Sequence, residues 1–303
     1  MTFSFPETGK KTPAKKWVVG FNLSNNGSVC LLEYGKPKLY LESERVTRNK
    51  WDHKISSLLP YLPEGIEHVA LTDSFWTQGD KRLDNIKDIS NIKKKYPNAR
   101  LYDYRSMHHL THAACAFYNS GFTEASCVVV DSNGSKTSEG LEIESIFVAP
   151  TFVETHKRYF SPEFVGIGRL FEETAKTYDW DYRDAGKVMG LSAYNHDPAS
   201  SIQKKWERRY RELIEMTTGD VCLSGGCFLN CVANYKIQKM YPHINFYVEP
   251  VAHDGGTGGG EPRGAFKKGV GPMKVCPDQK GNAPHDTRKR PGQCHDQQRF
   301  SSP

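Results

Sequence analysis

The sequence contains no run of about twenty apolar residues, which excludes a membrane-spanning helix. Met1 to Lys16 is polar and lysine-bearing, with no apolar core of the kind a secretory signal needs. There are eight cysteines but no CxxC pair. Cys222, Cys227 and Cys231 straddle a Gly-Gly turn, and Cys30, Cys115 and Cys127 sit among apolar neighbours. That pattern predicts small, reduced core residues and a cytoplasmic protein, not a disulfide frame or a zinc site. The body also lacks a charge excess. The net charge is +6, and residues 262–303 hold nine Lys/Arg against three acids, so the whole excess lies there and residues 1–261 balance. A balanced body disfavours nucleic acid as a partner, because phosphate contacts need a basic face.

What is present is enough for a full core. The chain has 303 residues, 37% of them apolar and 12% aromatic. Trp17 to Asn22, Ser28 to Glu33 and Lys38 to Glu42 read as three strands joined by turns at Asn25-Asn26-Gly27 and Tyr34-Gly35. A helix near 52–59, a strand at 66–71, a helix near 81–94 and a strand near 100–104 follow. The continuous apolar run Ala125 to Val130 reads as a buried strand. After it, 141–149 and 151–160 read as an antiparallel pair. Helical patterns near 165–179, 184–194 and 201–216 come next, then a strand at 220–223, a helix from 227 to 240 and a strand at 244–248. An antiparallel meander leading into βαβ units therefore occurs twice. That predicts an α/β chain of two similar halves, about 17–124 and 125–261, of the actin-like ATPase (ribonuclease H-like) type with a cleft between them. Residues 262–303 contain eleven Pro or Gly and no periodicity, which predicts a disordered tail; residues 1–16 read as a flexible N-terminus.

The chemistry concentrates in His108-His109-Leu110-Thr111-His112-Ala113-Ala114-Cys115-Ala116-Phe117, a helical pattern free of Gly and Pro. On a helix His108 and His112 project from one face a turn apart, which suits a single transition metal. Alternatively, each imidazole simply bonds a carbonyl or water. Three strand-end turns carry Gly and small polar residues: Asp131-Ser132-Asn133-Gly134-Ser135, Ser224-Gly225-Gly226 and Asp254-Gly255-Gly256-Thr257. Such turns let backbone N–H groups approach a phosphate. Asp131 and Asp254 can complete a metal site there or merely cap their turns.

Six segments, in order, resemble the carbamoyltransferases of the nodulation-protein and antibiotic O-carbamoyltransferase family. They are Glu42 to Lys50, the histidine helix, Val130 to Gly134, Gly186-Lys187-Val188-Met189-Gly190-Leu191, Leu223 to Asn234, and His253 to Thr257. The resemblance covers about 17 to 260 and implies a catalytic domain similar to that of tRNA threonylcarbamoyltransferase. It implies an iron-type divalent metal held by His108, His112, Asp131 and Asp254. It also implies ATP or carbamoyl-adenylate against Asn133, Gly134, Ser135, Lys187, Gly225, Gly226, Asn230, Gly255 and Gly256. Lys50 and Arg48 become candidates for gripping carbamoyl or phosphate oxygens, and His109 a further catalytic candidate. The implied reaction is carbamoyl transfer from a small-molecule donor to an acceptor hydroxyl or amine that the sequence does not name.

Two departures stand out. The family usually carries His-Asp in the first hairpin turn, where this chain has Asn25-Asn26, which removes the charge. The family also continues into an adenylate-forming domain, and 262–303 carries none of the resemblance. The expectation is a truncated transfer domain, whose adenylate would come from a separate adenylate-forming domain. The alternatives are an actin-like ATPase or phosphotransferase, and a nucleotide-binding fragment without turnover. A basic-tailed nucleic-acid binder is a weaker one.

Overall fold

The computed structural model describes residues 17–74 and 80–259. The flexible N-terminus expected at 1–16 and the disordered tail expected at 262–303 lie outside the described residues. Two five-stranded sheets form, and they repeat one topology. Strands β1 (Trp17–Asn22), β2 (Ser28–Glu33) and β3 (Lys36–Glu42) make an antiparallel meander, and β4 (His68–Thr72) and β5 (Arg100–Asp103) join β1 in parallel, giving the order β3-β2-β1-β4-β5. In the second sheet β6 (Ala125–Val130), β7 (Glu142–Ala149) and β8 (Val153–Tyr159) make the meander, and β9 (Val221–Ser224) and β10 (Phe246–Val248) extend β6 in parallel. The two halves are thus copies of one α/β plan.

Alternation along the strands decides what each sheet face covers. Val128 and Val130 of β6 and Leu223 of β9 join one core with Phe171, Trp206 and Tyr210 from α4 (Ile167–Lys176) and α6 (Ala199–Ile214). Helices α5 (Ala185–Leu191) and α7 (Cys231–Met240) complete that layer. The opposite face of the second sheet, Cys127, Val129 and Cys222, packs on α3 (His108–Ser120). In the first sheet Val19, Phe21, Val69 and Leu71 face Ile92 of α2 (Asp80–Lys95) and the chain at 55–62. The histidine helix therefore lies on the second sheet, although it closes the first half in sequence.

Two elements differ from the sequence reading. The helix expected near 52–59 is two short 3-10 turns, Ile55–Ser57 and Leu59–Tyr61. Pro60 removes an N–H there, and the buried carboxylate of Asp88 takes the Ile55 N–H at 3.0 Å and the Ser56 hydroxyl. The regular helix after the third strand is α1 (Ser43–Thr47), which ends at Arg48 in the left-handed conformation. The helix expected from 227 begins as a 3-10 turn at Gly226–Leu229 and becomes α-helical only after Asn230 caps it. No helix among the described residues is long and apolar enough to cross a membrane. Cys30, Cys115, Cys127, Cys222 and Cys227 are buried and outside any disulfide, and Cys231 is exposed.

Candidate metal centre and ligand cleft

Residues 108–118 of α3 are all buried, so the histidines cannot turn to water. The His108 N–H, unpaired within its own helix, is satisfied by the Ser135 hydroxyl at 3.0 Å. The helix thus starts where the turn after β6 anchors it. Around its first turn, ligand atoms of His108, His112, Asp131 and Asp254 lie within 4.8 Å of one another. The two Nε2 atoms are 3.2 Å apart. Asp131 Oδ2 stands 3.4 Å from His112 Nε2, and Asp254 Oδ1 stands 3.5 Å from His108 Nε2. Donors each about 2.1 Å from one ion are separated by about 3.0–3.4 Å, so the set matches a single cation after small adjustments.

The surrounding bonds orient the set. His108 Nδ1 faces the Asp73 carbonyl at 3.3 Å, and a carbonyl only accepts, so in the neutral ring that nitrogen carries the proton and Nε2 keeps its lone pair. His112 Nδ1 meets the Ser224 hydroxyl at 3.0 Å. Asp131 Oδ1 accepts the Ser132 N–H at 2.7 Å, while its buried Oδ2 has no hydrogen-bond donor among the described residues. The Ser24 hydroxyl donates to Asp254 Oδ2 at 3.0 Å, leaving Oδ1 toward the histidines. Burial opposes charge on His108, but Asp254 and Asp131 outweigh it and hold its pKa well above the usual value. Burial likewise opposes ionisation of Asp254, and the His108 charge outweighs it, holding that carboxyl well below its usual range. The field at this point favours a positive charge, whether a proton or a metal ion.

The site joins both halves. Asp254 follows the second sheet in sequence, yet its turn is bound to the first. The Ser28 hydroxyl donates to the Gly255 carbonyl at 2.6 Å, and Thr72 and Thr257 hydroxyls meet at 2.9 Å. His253 Nδ1 accepts the Gly255 N–H, and its Nε2 lies 3.2 Å from Glu42. Sequence reasoning missed Ser24, Glu42 and Ser224 as supports, because nothing local marks a partner more than a hundred residues away.

Two cavities meet at Asp131, Ser132 and Glu172. One, of about 260 Å³, is lined by Ser24, Asn25, Asn133, Arg169 and Tyr182 among others. The other, of about 620 Å³, is lined by Lys50, Gly168, Phe171, Lys187, Gly226 and His253 among others. Glu172 faces both, and burial pushes its carboxyl up to about 6. The amphipathic pattern of α4 does not mark Glu172 as a cleft residue, since only tertiary packing turns it inward.

Of the residues expected to touch ligand, Lys50, Lys187, Asn133 and Gly226 line these cavities. The others are placed differently. Arg48 is exposed, caps α1 and lines neither cavity. His109 points away from the cleft, with Nδ1 at 2.8 Å from Ser145 of β7; burial lowers its pKa to about 4, so the ring is neutral. The Gly134 and Ser135 N–H groups are spent on Glu142, to its carbonyl at 2.7 Å and its carboxylate at 2.9 Å. The Gly225 N–H bonds the Ala252 carbonyl, and those of Gly255 and Gly256 bond His253. Asn230 is buried, capping α7 and bonding Gln203. The backbone N–H groups of these six are all spent within the chain.

Asp73 sits behind His108. Its Oδ2 accepts from Asn85 at 2.9 Å, its Oδ1 has no partner among the described residues, and burial pushes the carboxyl up to about 7. In an unfolded chain that carboxyl titrates near ~4. Between about pH 4 and 7 the unfolded chain gives up a proton that the folded protein keeps, so stability falls as pH rises through that window. Asp73→Asn is expected to flatten the decline. Urea midpoints of the two proteins should agree near pH 4 and diverge in favour of the variant by pH 7; parallel curves would refute the burial argument.

Against this geometry the relatives can be placed. Residues 167–261 match the family model described as carbamoyltransferase N-terminus. The nodulation protein NolNO of Sinorhizobium fredii is 36% identical over 204 residues, covering 49% of this chain and 29% of that protein. The nodulation protein NolO of Bradyrhizobium diazoefficiens is 24% identical over 205 residues, covering 49% of this chain and 36% of that one. The chain thus spans about a third of the length of these curated relatives. Component A of the (R)-2-hydroxyglutaryl-CoA dehydratase of Acidaminococcus fermentans superposes with a TM-score of 0.50 at 12% identity, covering 83% of this chain and 98% of that one. That likeness concerns the fold alone, the two-halved actin-like ATPase type. The matched segment runs from α4, which contributes Glu172 to the cleft, through the Asp254 turn, so this stretch of the chain is similar to the N-terminal part of carbamoyltransferases.

Proposed function

We propose that the cleft transfers a carbamoyl group from carbamoyl-adenylate to an acceptor hydroxyl or amine, with one iron-type divalent ion held by His108, His112, Asp131 and Asp254. The observation that carries the reading is this four-donor set, buried except for the half-buried Asp254, with both Nε2 atoms and Asp131 Oδ2 converging where the cleft begins. When bound, such an ion supplies positive charge toward phosphate oxygens and toward charge developing on the carbonyl. The acceptor atom bonds the carbonyl carbon and gives up its proton to solvent, the bond from that carbon to the phosphate oxygen breaks, and AMP leaves. Lys50 and Lys187 face the phosphate end of the larger cavity as flexible cations. Glu172, between the cavities, accepts from a ligand hydroxyl. Gly226 brings the chain close to Asp131 without a side chain in the way.

The test supplies preformed carbamoyl-adenylate to metal-loaded protein, with hydroxylamine as a generic acceptor. AMP release and a carbamoylated product should both exceed the protein-free control, and Asp131→Asn should lower the rate by about a hundredfold or more. Release no faster than spontaneous hydrolysis would overturn the reading.

A further inference from the structure

The larger cavity is crossed at its rim by one ion-paired group. Lys50 follows α1 in the first half; Asp184 and Lys187 belong to the second, at the start of α5 and one turn on. Asp184 Oδ1 lies 3.4 Å from Lys50 Nζ, and Asp184 Oδ2 lies 3.0 Å from Lys187 Nζ. All three line the cavity. Each carboxylate oxygen thus holds one ammonium group, and each ammonium comes from a different half of the molecule.

The rest of the contact set shows what this carboxylate is not doing. Asp184 precedes α5 yet makes no side-chain capping bond to it. The lysines are held from behind by aromatic faces: Lys50 Nζ sits 5.0 Å from the Trp51 ring centre, and Lys187 Nζ sits 5.5 Å from that of Trp180. The lysine side chains are 65% and 55% exposed, whereas that of Asp184 is 15% exposed. Two exposed cations therefore converge on one more shielded anion. A phosphate group presents the same pattern to a pair of ammonium groups, with two oxygens and negative charge.

We propose that Asp184 is a built-in competitor of the ligand's phosphate: its carboxylate holds Lys50 and Lys187 in the empty cleft, and a phosphorylated ligand takes both lysines from it. This rests on the reading of the cleft as a nucleotide site. Asp184 then sets the threshold for entry. Ligands with a phosphate group recover the lysines it gives up, and ligands without one do not.

The experiment is calorimetric titration of the full-length protein with ATP, AMP and adenosine at low salt. Asp184→Asn keeps size and polarity and removes the charge. It should bind ATP and AMP about three- to fivefold more tightly than wild type, the size that exposed ion pairs carry, with the gain shrinking as salt is raised. Its adenosine affinity should match wild type. Asp184→Ser should behave alike, and a melting scan of each variant checks the fold. Lys50→Met should lose ATP affinity, and adding Asp184→Asn to it should gain less than in wild type. Weaker or unchanged ATP binding in both Asp184 variants would overturn the proposal while leaving the nucleotide site standing. Equal tightening for adenosine would also overturn it, because that ligand carries no phosphate. Absence of ATP binding in every protein would overturn the nucleotide reading and this proposal together.

Discussion

Protein carrying His112→Ala is expected to retain only a small fraction of the divalent metal that the wild type binds at about one equivalent per chain. The imidazole is fully buried, and its Nε2 lies 3.2 to 3.8 Å from the other three donors. Alanine leaves three donors and an unpaired Ser224 hydroxyl. Loss of an orienting partner alone commonly costs 10–100-fold in metal affinity, and loss of a ligand costs more. Because a buried His→Ala also opens a cavity, Asp254→Asn serves as the volume-conserving companion. It keeps a group for the Ser24 hydroxyl while removing the anionic oxygen. Metal analysis after desalting, with melting curves for both variants, decides the matter. Full metal content in both would remove His108, His112, Asp131 and Asp254 as a metal site.

Gly225→Val should unfold the second half rather than merely block a ligand. Gly225 has φ of +101°, and a Cβ there would lie 2.3 Å from the Val130 carbonyl oxygen. Its N–H is already bonded to the Ala252 carbonyl at 2.8 Å, so this residue faces the β6 strand and not an incoming phosphate. A β-branched residue at positive φ and a backbone clash together cost on the order of 4 kcal/mol or more. That is a large part of the stability of an ordinary domain. Gly226→Ala is the contrast. Its Cβ would stand 3.3 Å from Asp131 Oδ1, so the fold should survive while the metal and ligand properties change. Denaturant melts should separate the two; a Gly225→Val protein as stable as wild type would show that β6 can give way.

The local pattern of residues carried much of this protein. The 2-residue alternation and continuous apolar runs marked most of the strands, and their repetition marked the two halves. The placing of His108 and His112 on one face followed from helix geometry, because four residues make about one turn whatever surrounds them. Only tertiary structure decided which groups remain for a ligand. Gly134 and Ser135 look like phosphate donors until Glu142, on the next strand, takes both N–H groups. His109 looks like a third site histidine until the one-residue step, about 100° around α3, turns it to Ser145. Asp184 looks like a surface acid until Lys50, 134 positions earlier, reaches it across the cleft. Hydrogen bonds and ion pairs between distant segments depend on where the chain returns, and no local periodicity encodes that return.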